Sequence, residues 1–139
     1  MIVLDTNVLS ELMRSAPDVA VTNWVATQSA ANLFVTTTTQ AEILHGVLLL
    51  PRGRRRDAIA AAADAMFEED FAGRILPFSS LAAHAYAEIA VARRQSGRPI
   101  SQFDAQIAAI AKSAGADVAT RNVPDFEGCG IKVIDPWQS

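Results

Sequence analysis

The apolar positions of this chain fall into short runs that alternate with longer amphipathic stretches. The short runs are rich in Ile, Val and Leu and are typical of buried strands, at residues 1–4, 33–36, 74–77, 117–120 and 132–134. Between them, apolar spacings of three and four residues, together with capping residues and Pro/Gly breakers, predict six helices, at about residues 6–13, 17–28, 40–50, 57–71, 80–95 and 102–114.

Regular alternation of strands and helices indicates how the chain folds. It is typical of a mainly parallel central sheet that carries helices on both faces. We therefore expect one three-layer α/β/α domain over residues 1–139. Polar residues at the predicted helix starts can serve as N-caps, and they are Asp5 or Thr6, Thr38 or Thr39, Ser79 or Ser80, and Ser101.

Composition narrows the classes of function. The net charge is -3 and the pI is about 5.3, which excludes a globally basic surface for nucleic acid but leaves a local basic patch possible. The single Cys129 cannot form an intrachain disulfide and fits a reducing compartment. The chain has no signal-peptide pattern and no apolar run of roughly 20 residues. We expect a cytoplasmic protein without membrane contact.

Three acidic residues stand apart from the others because of where they fall in this pattern. Asp5 directly follows the first strand, Glu42 lies early in the helix after the second strand, and Asp104 lies near the start of the sixth helix. In a parallel sheet, strand ends and the following helix starts share one edge, so these acids can converge. An acid among apolar neighbours is costly unless it is paired or binds a metal.

A divalent cation is the natural partner of such a cluster, because no group of Lys or Arg is placed to neutralise it. Carboxylate and water oxygens suit Mg²⁺ or Mn²⁺. His45 and His84 are isolated and Cys129 has no thiol partner, which argues against zinc. Three ordinary helix caps remain the alternative explanation. The other acids, Glu11 among them, are expected to be exposed to solvent.

Several segments are similar to one known family. Residues 2–11 (IVLDTNVLSE) resemble the opening of PIN-domain proteins, and most closely the VapC-type and FitB-type toxins of bacterial toxin–antitoxin pairs. The family's second, third and fourth motifs resemble residues 39–47 (TQAEILHGV), 104–109 (DAQIAA) and 119–122 (ATRN). Residues 73–78 (GRILPF) and 134–137 (IDPW) also look familial. The resemblance spans nearly the whole chain, with its motifs in the family's order.

The resemblance implies a PIN-like fold and a metal-dependent endoribonuclease that leaves 5′-phosphate and 3′-hydroxyl ends. Asp5, Glu42 and Asp104 match the three core acidic positions, as catalytic residues and metal ligands. Thr6 matches a residue whose hydroxyl supports the first Asp. The resemblance further implies a homodimer bound to a VapB-type antitoxin, with DNA contacted only through the antitoxin.

This chain departs from the family at the fourth acidic position, where Asn122 stands. An amide oxygen is a neutral ligand, so the site carries one negative charge fewer, which puts a strict two-metal mechanism in doubt. Asp125 either compensates or serves as a cap or turn after Pro124. Arg121, beside Asn122, is a candidate phosphate contact.

One basic cluster interrupts the otherwise acidic chain. It consists of Arg52, Arg54, Arg55 and Arg56. The cluster is either a solvated helix start or a patch that binds the phosphates of an RNA.

Two other functions stay open at this stage. Asp5-Thr6-Asn7-Val8 also resembles the opening of haloacid dehalogenase-like phosphatases, but that family places a second Asp where Asn7 stands. Alternatively, the chain is a binding module with a degenerate site, whose helices at 18–28 and 40–50 hold an antitoxin helix. Its candidate anchors are Trp24, Leu48 and Leu49, although core packing is the more ordinary role for each.

Overall fold

The computed structural model describes residues 1–138 and contains alternating strands and helices. The strands are β1 (Ile2–Leu4), β2 (Leu33–Thr36), β3 (Ile75–Leu76), β4 (Asp117–Ala119) and β5 (Val133–Ile134). The α-helices are α1 (Thr6–Leu12), α2 (Val19–Ala26), α3 (Thr37–Leu48), α4 (Arg54–Ala65), α5 (Ser80–Gln95) and α6 (Gln102–Ser113). Within residues 1–138, every helix is too short or too polar to cross a bilayer.

The five strands form one sheet in the order β3-β2-β1-β4-β5, and every neighbouring pair is parallel. The predicted mainly parallel sheet is therefore confirmed. Because β1 pairs with both β2 and β4, the residue that follows β1 lies in the middle of the sheet's C-terminal edge. That residue is Asp5.

Both faces of the sheet are covered, as the α/β/α prediction requires. Along β1, Ile2 and Leu4 contribute to one apolar cluster and Val3 contributes to the other, because successive side chains of a strand point to opposite faces. The first cluster includes residues from α1 to α4, and the second includes residues from α5 and α6. Burial on both faces explains why the strands read as continuous apolar runs rather than alternating ones.

Two helices begin earlier than the sequence predicted. α3 begins at Thr37, because the hydroxyl of Thr36 caps it by accepting the N–H of Thr39 at 3.0 Å. The predicted caps, Thr38 and Thr39, lie inside the helix. α4 begins at Arg54, directly after Gly53, whose φ of 152° is a backbone conformation that other residues rarely adopt. Arginine forms helices readily, so the start expected near residue 57 was about one turn too late.

The predicted fourth helix also ends differently. α4 stops at Ala65, and a π-helical turn from Met66 to Asp70 continues the chain. Met66 and Phe67 in this turn are buried in the first apolar cluster. The π-helical turn thus contributes two side chains to the core on this face of the sheet.

Candidate functional site

The C-terminal edge of the sheet brings the three singled-out acids together. Asp5 is the N-cap of α1, Glu42 lies in the second turn of α3, and Asp104 is the third residue of α6. They line one open cavity of about 540 Å³, together with Arg121 and Asn122, which follow β4. Their roles as catalytic residues and metal ligands stay predictions. The cavity's other lining residues are Thr6, Asn7, Ser10, Glu11, Arg14 and Trp137.

Asp5 is the most constrained of the three acids. Its side chain accepts three hydrogen bonds, from the Thr6 backbone N–H at 2.8 Å, the Thr120 hydroxyl at 2.7 Å and the Asn7 amide at 3.2 Å. Asp5 is only 4% exposed, and its pKa is raised to about 6, mainly by burial and against the lowering effect of the bonds from Thr120 and Thr6. The nearby carboxyls of Asp104 and Glu42 contribute to the same rise. The protein alone therefore stabilises the charged form of Asp5 poorly.

Glu42 is held by Thr6, which corrects one detail of the sequence prediction. The Thr6 hydroxyl donates to Oε1 of Glu42 at 2.9 Å and also contacts the Thr39 hydroxyl at 2.9 Å. It was expected to support Asp5, but only the backbone N–H of Thr6 does so. Burial raises the pKa of Glu42, the Thr6 hydrogen bond lowers it, and Asp104 raises it again. Thr6 thus positions both acids through two different groups.

Asp104 lies between two cavities. Burial raises its pKa, hydrogen bonding with Ser101 lowers it, Asp125 raises it and Arg93 lowers it. Asp125 stands in the 3₁₀ turn that follows Asn122, outside the main cavity. With Asp104 and Arg93, it lines a smaller cavity of about 190 Å³. Asp125 therefore neighbours Asp104 in the smaller cavity and does not line the cavity that holds Asp5.

The donor chemistry of the main cavity fits a hard divalent cation that keeps part of its water shell. Among residues 1–138, no three Asp, Glu, His or Cys side chains converge closely enough to form a complete metal-binding set. Mg²⁺ commonly takes one or two carboxylates and completes its coordination with waters and substrate phosphates. Within the described residues 1–138, no ion pair involves Asp5, Glu42 or Asp104. The cavity therefore offers carboxylate oxygens that are not paired with Lys or Arg in this part of the chain, as a Mg²⁺ site of this kind needs.

Two residues that sequence reasoning did not single out organise the cavity. The Asn7 amide donates to Asp5 and, at 3.2 Å, to the Thr120 hydroxyl, while its oxygen accepts the Arg121 N–H at 3.2 Å. Thr120 also accepts the N–H of Asn122 at 3.1 Å. Its position directly after β4, at the same sheet edge as Asp5, was the available signal. Asn7 had no comparable signal, because its role depends on where the loop after β4 passes.

Glu11 was expected to be exposed, and that prediction is wrong. The residue is buried in α1, and its Oε2 accepts hydrogen bonds from Arg14 at 2.9 Å and from the Asp18 N–H at 3.1 Å. The turn between α1 and α2 folds these partners over the carboxylate. Glu11 and Arg14 consequently form a neutralised pair in the cavity wall.

The basic cluster reaches the neighbourhood of the acids through one residue. Arg55 lines a second cavity of about 670 Å³, which adjoins the first because Thr6 and Glu42 line both. The other three arginines, Arg52, Arg54 and Arg56, line neither of these two cavities. The first turn of α4 therefore lies beside the acidic cavity.

Comparison with known proteins agrees with this architecture. The PIN-domain family model matches residues 2–125. The chain is 40% identical to the plasmid stability protein StbB of Pseudomonas syringae pv. tomato, over 100% of both chains. It is 39% identical to the VapC ribonuclease Y4jK of Sinorhizobium fredii, over 99% of both, and 36% identical to toxin FitB of Neisseria gonorrhoeae, again over 99% of both.

Solved structures show the same relationship. FitAcB from Neisseria gonorrhoeae superposes with a TM-score of 0.94 at 35% identity, covering 100% of both chains. FitAB bound to an IR36 DNA fragment gives a TM-score of 0.93 at 36% identity, covering 99% of this chain and 96% of the other. The chain belongs to the PIN-domain family, within the group of VapC- and FitB-type toxins.

Proposed function

We propose that the chain is the toxin of a VapBC- or FitAB-type pair and acts as an endoribonuclease that uses Mg²⁺ or Mn²⁺. The main support is the cavity at the sheet edge, where α1, α3 and α6 bring together Asp5, Glu42 and Asp104, each with a raised pKa. A bound cation favours the charged form of such carboxyls. Similarity to a protein named VapC ribonuclease supports nuclease activity.

In this proposal Asp5 and Asp104 hold the cation directly, and Glu42 either joins them or orients the attacking water. Asn122 contributes a neutral oxygen at the same cavity. Mg²⁺ bound there would lower the pKa of its water and polarise the phosphoryl oxygen. The oxygen-only ligands and the open cavity leave room for water and for a phosphate.

The remaining side chains position the acids and the RNA. The hydrogen bonds from Thr6, Asn7 and Thr120 hold Asp5 in one orientation, so little reorganisation is needed on binding. Arg121 at the mouth of the cavity is a phosphate contact. Arg55, which lines the adjoining cavity together with Glu42, extends this basic surface, and Arg52, Arg54 and Arg56 lie in the same segment around the start of α4. By resemblance, the products carry 5′-phosphate and 3′-hydroxyl ends.

The partners follow from the same family assignment. We propose that a VapB-type antitoxin binds the chain, that the toxin is a homodimer, and that DNA is contacted only through the antitoxin. Leu48 and Leu49, at the end of α3, are 64% and 71% exposed rather than packed in the core, whereas Trp24 is buried. Exposed leucines of this kind suit a protein interface. The free thiol of Cys129 suits a reducing compartment, so a cytoplasmic location belongs to the proposal.

The direct test is RNA cleavage by purified protein with and without Mg²⁺. We expect wild-type activity to require the metal and to disappear in EDTA. Asp5→Asn should abolish cleavage while the circular dichroism spectrum stays native. The control Asp57→Asn, at an exposed site on α4, should cleave RNA at the wild-type rate. Full activity of Asp5→Asn would refute the site assignment.

The two alternative functions predict different results. A haloacid dehalogenase-like phosphatase would need an acid at position 7, but the Asn7 side chain is occupied with Asp5, Thr120 and the Arg121 N–H. A non-catalytic binding module would bind antitoxin but cleave no RNA at any Mg²⁺ or Mn²⁺ concentration.

A further inference from the structure

A tryptophan lies at the cavity, and the proposed chemistry does not use it. Trp137, in the 3₁₀ turn Pro136–Gln138, lines the same cavity as Asp5 and Asp104. Its ring packs against the first apolar cluster, and its backbone N–H donates to Oδ1 of Asp135 at 2.9 Å. The ring is therefore held in place but remains partly accessible.

Arg121 lies over this ring. The guanidinium carbon is 5.1 Å from the ring centroid of Trp137, within the range of a cation–π contact. Among residues 1–138, the guanidinium makes no ion pair, in contrast to Arg14, which pairs with Glu11 on the same cavity wall. The backbone of Arg121 is fixed by its N–H bond to Asn7. The guanidinium is exposed and its charge is not paired with a carboxylate of residues 1–138, so it is available for a ligand while it lies over the anchored ring.

The geometry of the cavity indicates which part of an RNA this pair meets. In the proposed function the acids hold a cation that would bind the scissile phosphate. Arg121 and Trp137 line the same cavity, so their wall is the one available to a nucleotide adjoining that phosphate. Unpaired bases stack on aromatic side chains and on arginine guanidinium planes. A phosphate contact alone would require the arginine but would give no role to the ring.

We propose that Arg121 and Trp137 form a nucleobase-stacking subsite that takes the base next to the scissile phosphate. The proposal rests on the proposed function, since it needs a single-stranded RNA at the acidic cavity. Stacking on such a pair tolerates every base, so the subsite strengthens RNA binding and sets its register more than it reads a sequence.

The test combines protein variants with RNA that lacks one base. Steady-state cleavage is measured for wild type, Trp137→Leu and Trp137→Phe, on an RNA oligonucleotide that is intact or abasic at either nucleotide flanking the cleaved bond. We expect one abasic position to raise the wild-type KM by roughly tenfold, since stacking one base contributes about 1–3 kcal/mol. Trp137→Leu should raise KM for intact RNA similarly, and the abasic position should then add little. Trp137→Phe should retain most of the effect, and Trp24→Phe, at the buried tryptophan, should leave KM unchanged.

The outcomes separate the two levels of the proposal. If the wild type cleaves no RNA, both the proposed function and the subsite fail. If it cleaves, but the effects of the abasic position and of Trp137→Leu are additive or absent, the subsite fails and the nuclease stands. Should Trp137→Leu not fold, Arg121→Gln replaces it in the same comparison, and non-additivity with the abasic position remains the required result.

Discussion

The hydroxyl of Thr120 donates a 2.7 Å hydrogen bond to Oδ2 of Asp5 and so ties the end of β4 to the end of β1. The same hydroxyl accepts the N–H of Asn122. One fully buried threonine therefore sets the positions of the first acid and of the residue at the family's fourth acidic position. The Asn7 amide also donates to this hydroxyl at 3.2 Å. Because one atom makes all three bonds, their loss is testable in a single variant.

Thr120→Val keeps the side-chain shape and removes all three hydrogen bonds of the hydroxyl. We expect kcat/KM for RNA cleavage to fall roughly ten- to a hundredfold, because a hydrogen bond to a charged group contributes about 1.5–3 kcal/mol. Initial rates on one RNA oligonucleotide measure this. Thr120→Ser retains the hydroxyl and should stay close to wild type. Equal loss in the Ser and Val variants would show that packing, not the hydrogen bonds, matters.

The raised pKa of Asp5 predicts a pH-dependent stability. Burial raises that pKa from 3.8 to about 6, so the folded state binds the proton more tightly than the unfolded state. Its stabilising contribution is present below pH 4 and is lost as pH rises through 6. For a group this buried, the change is about 3 kcal/mol in the free energy of unfolding.

Urea unfolding of wild type and Asp5→Asn in EDTA, from pH 4 to 7.5, measures this contribution. We expect the stability of Asp5→Asn relative to wild type to rise over this range, since the amide does not titrate. Adding Mg²⁺ at pH 7.5 should stabilise the wild type and not the variant. A difference that does not change with pH would contradict the burial argument.

Arg93 is a buried cation that holds the loop beyond Asn122. Its guanidinium donates to the carbonyls of Arg98 at 2.7 Å, Asp125 at 2.7 Å and Glu127 at 3.0 Å. We expect Arg93→Met to reduce the free energy of unfolding by about 2–4 kcal/mol, because these carbonyls lose their donors. Urea denaturation measures the stability of this variant and of the control Arg94→Met, which removes the exposed neighbour on α5. Similar stabilities for the two variants would refute this role.

Asn122→Asp should restore the family's fourth acid. Since Asn122 lines the cavity of Asp5 and Asp104, the added charge should tighten Mn²⁺ binding by roughly tenfold, about 1.4 kcal/mol. Calorimetric titration with Mn²⁺ measures the affinity. Asn23→Asp, on the exposed side of α2, should not change it. If Asn122→Asp binds Mn²⁺ no more tightly than wild type, position 122 is not part of the metal site.

The order of elements was readable because each strand is a short apolar run between breakers, and each helix has a cap or a spacing of three and four. The meeting of Asp5, Glu42 and Asp104 at one edge also follows from sequence, since strand ends in a parallel sheet share that edge. These features depend on local pattern and topology alone.

The hydrogen-bond partners could not be read in the same way. Whether the Thr6 hydroxyl meets Asp5 or Glu42 depends on how α1 packs against α3, and both acids are within reach of it. The burial of Glu11 could not be predicted because it depends on the turn after α1, which brings Arg14 and the Asp18 N–H to the carboxylate. Apolar periodicity carries no signal for such a turn. The start of α4 was missed because an acid at position 57 looked like a better first turn than three arginines.

The most direct test of the metal site is a crystal structure of the protein soaked in Mn²⁺, with an anomalous difference map. The account predicts a peak within coordination distance of carboxylate oxygens of both Asp5 and Asp104, with Glu42 bound to it or to one of its waters. Crystals of Asp5→Asn should lose that peak. Wild-type crystals at saturating Mn²⁺ with no peak in this cavity, or with the ion bound elsewhere, would contradict the assignment.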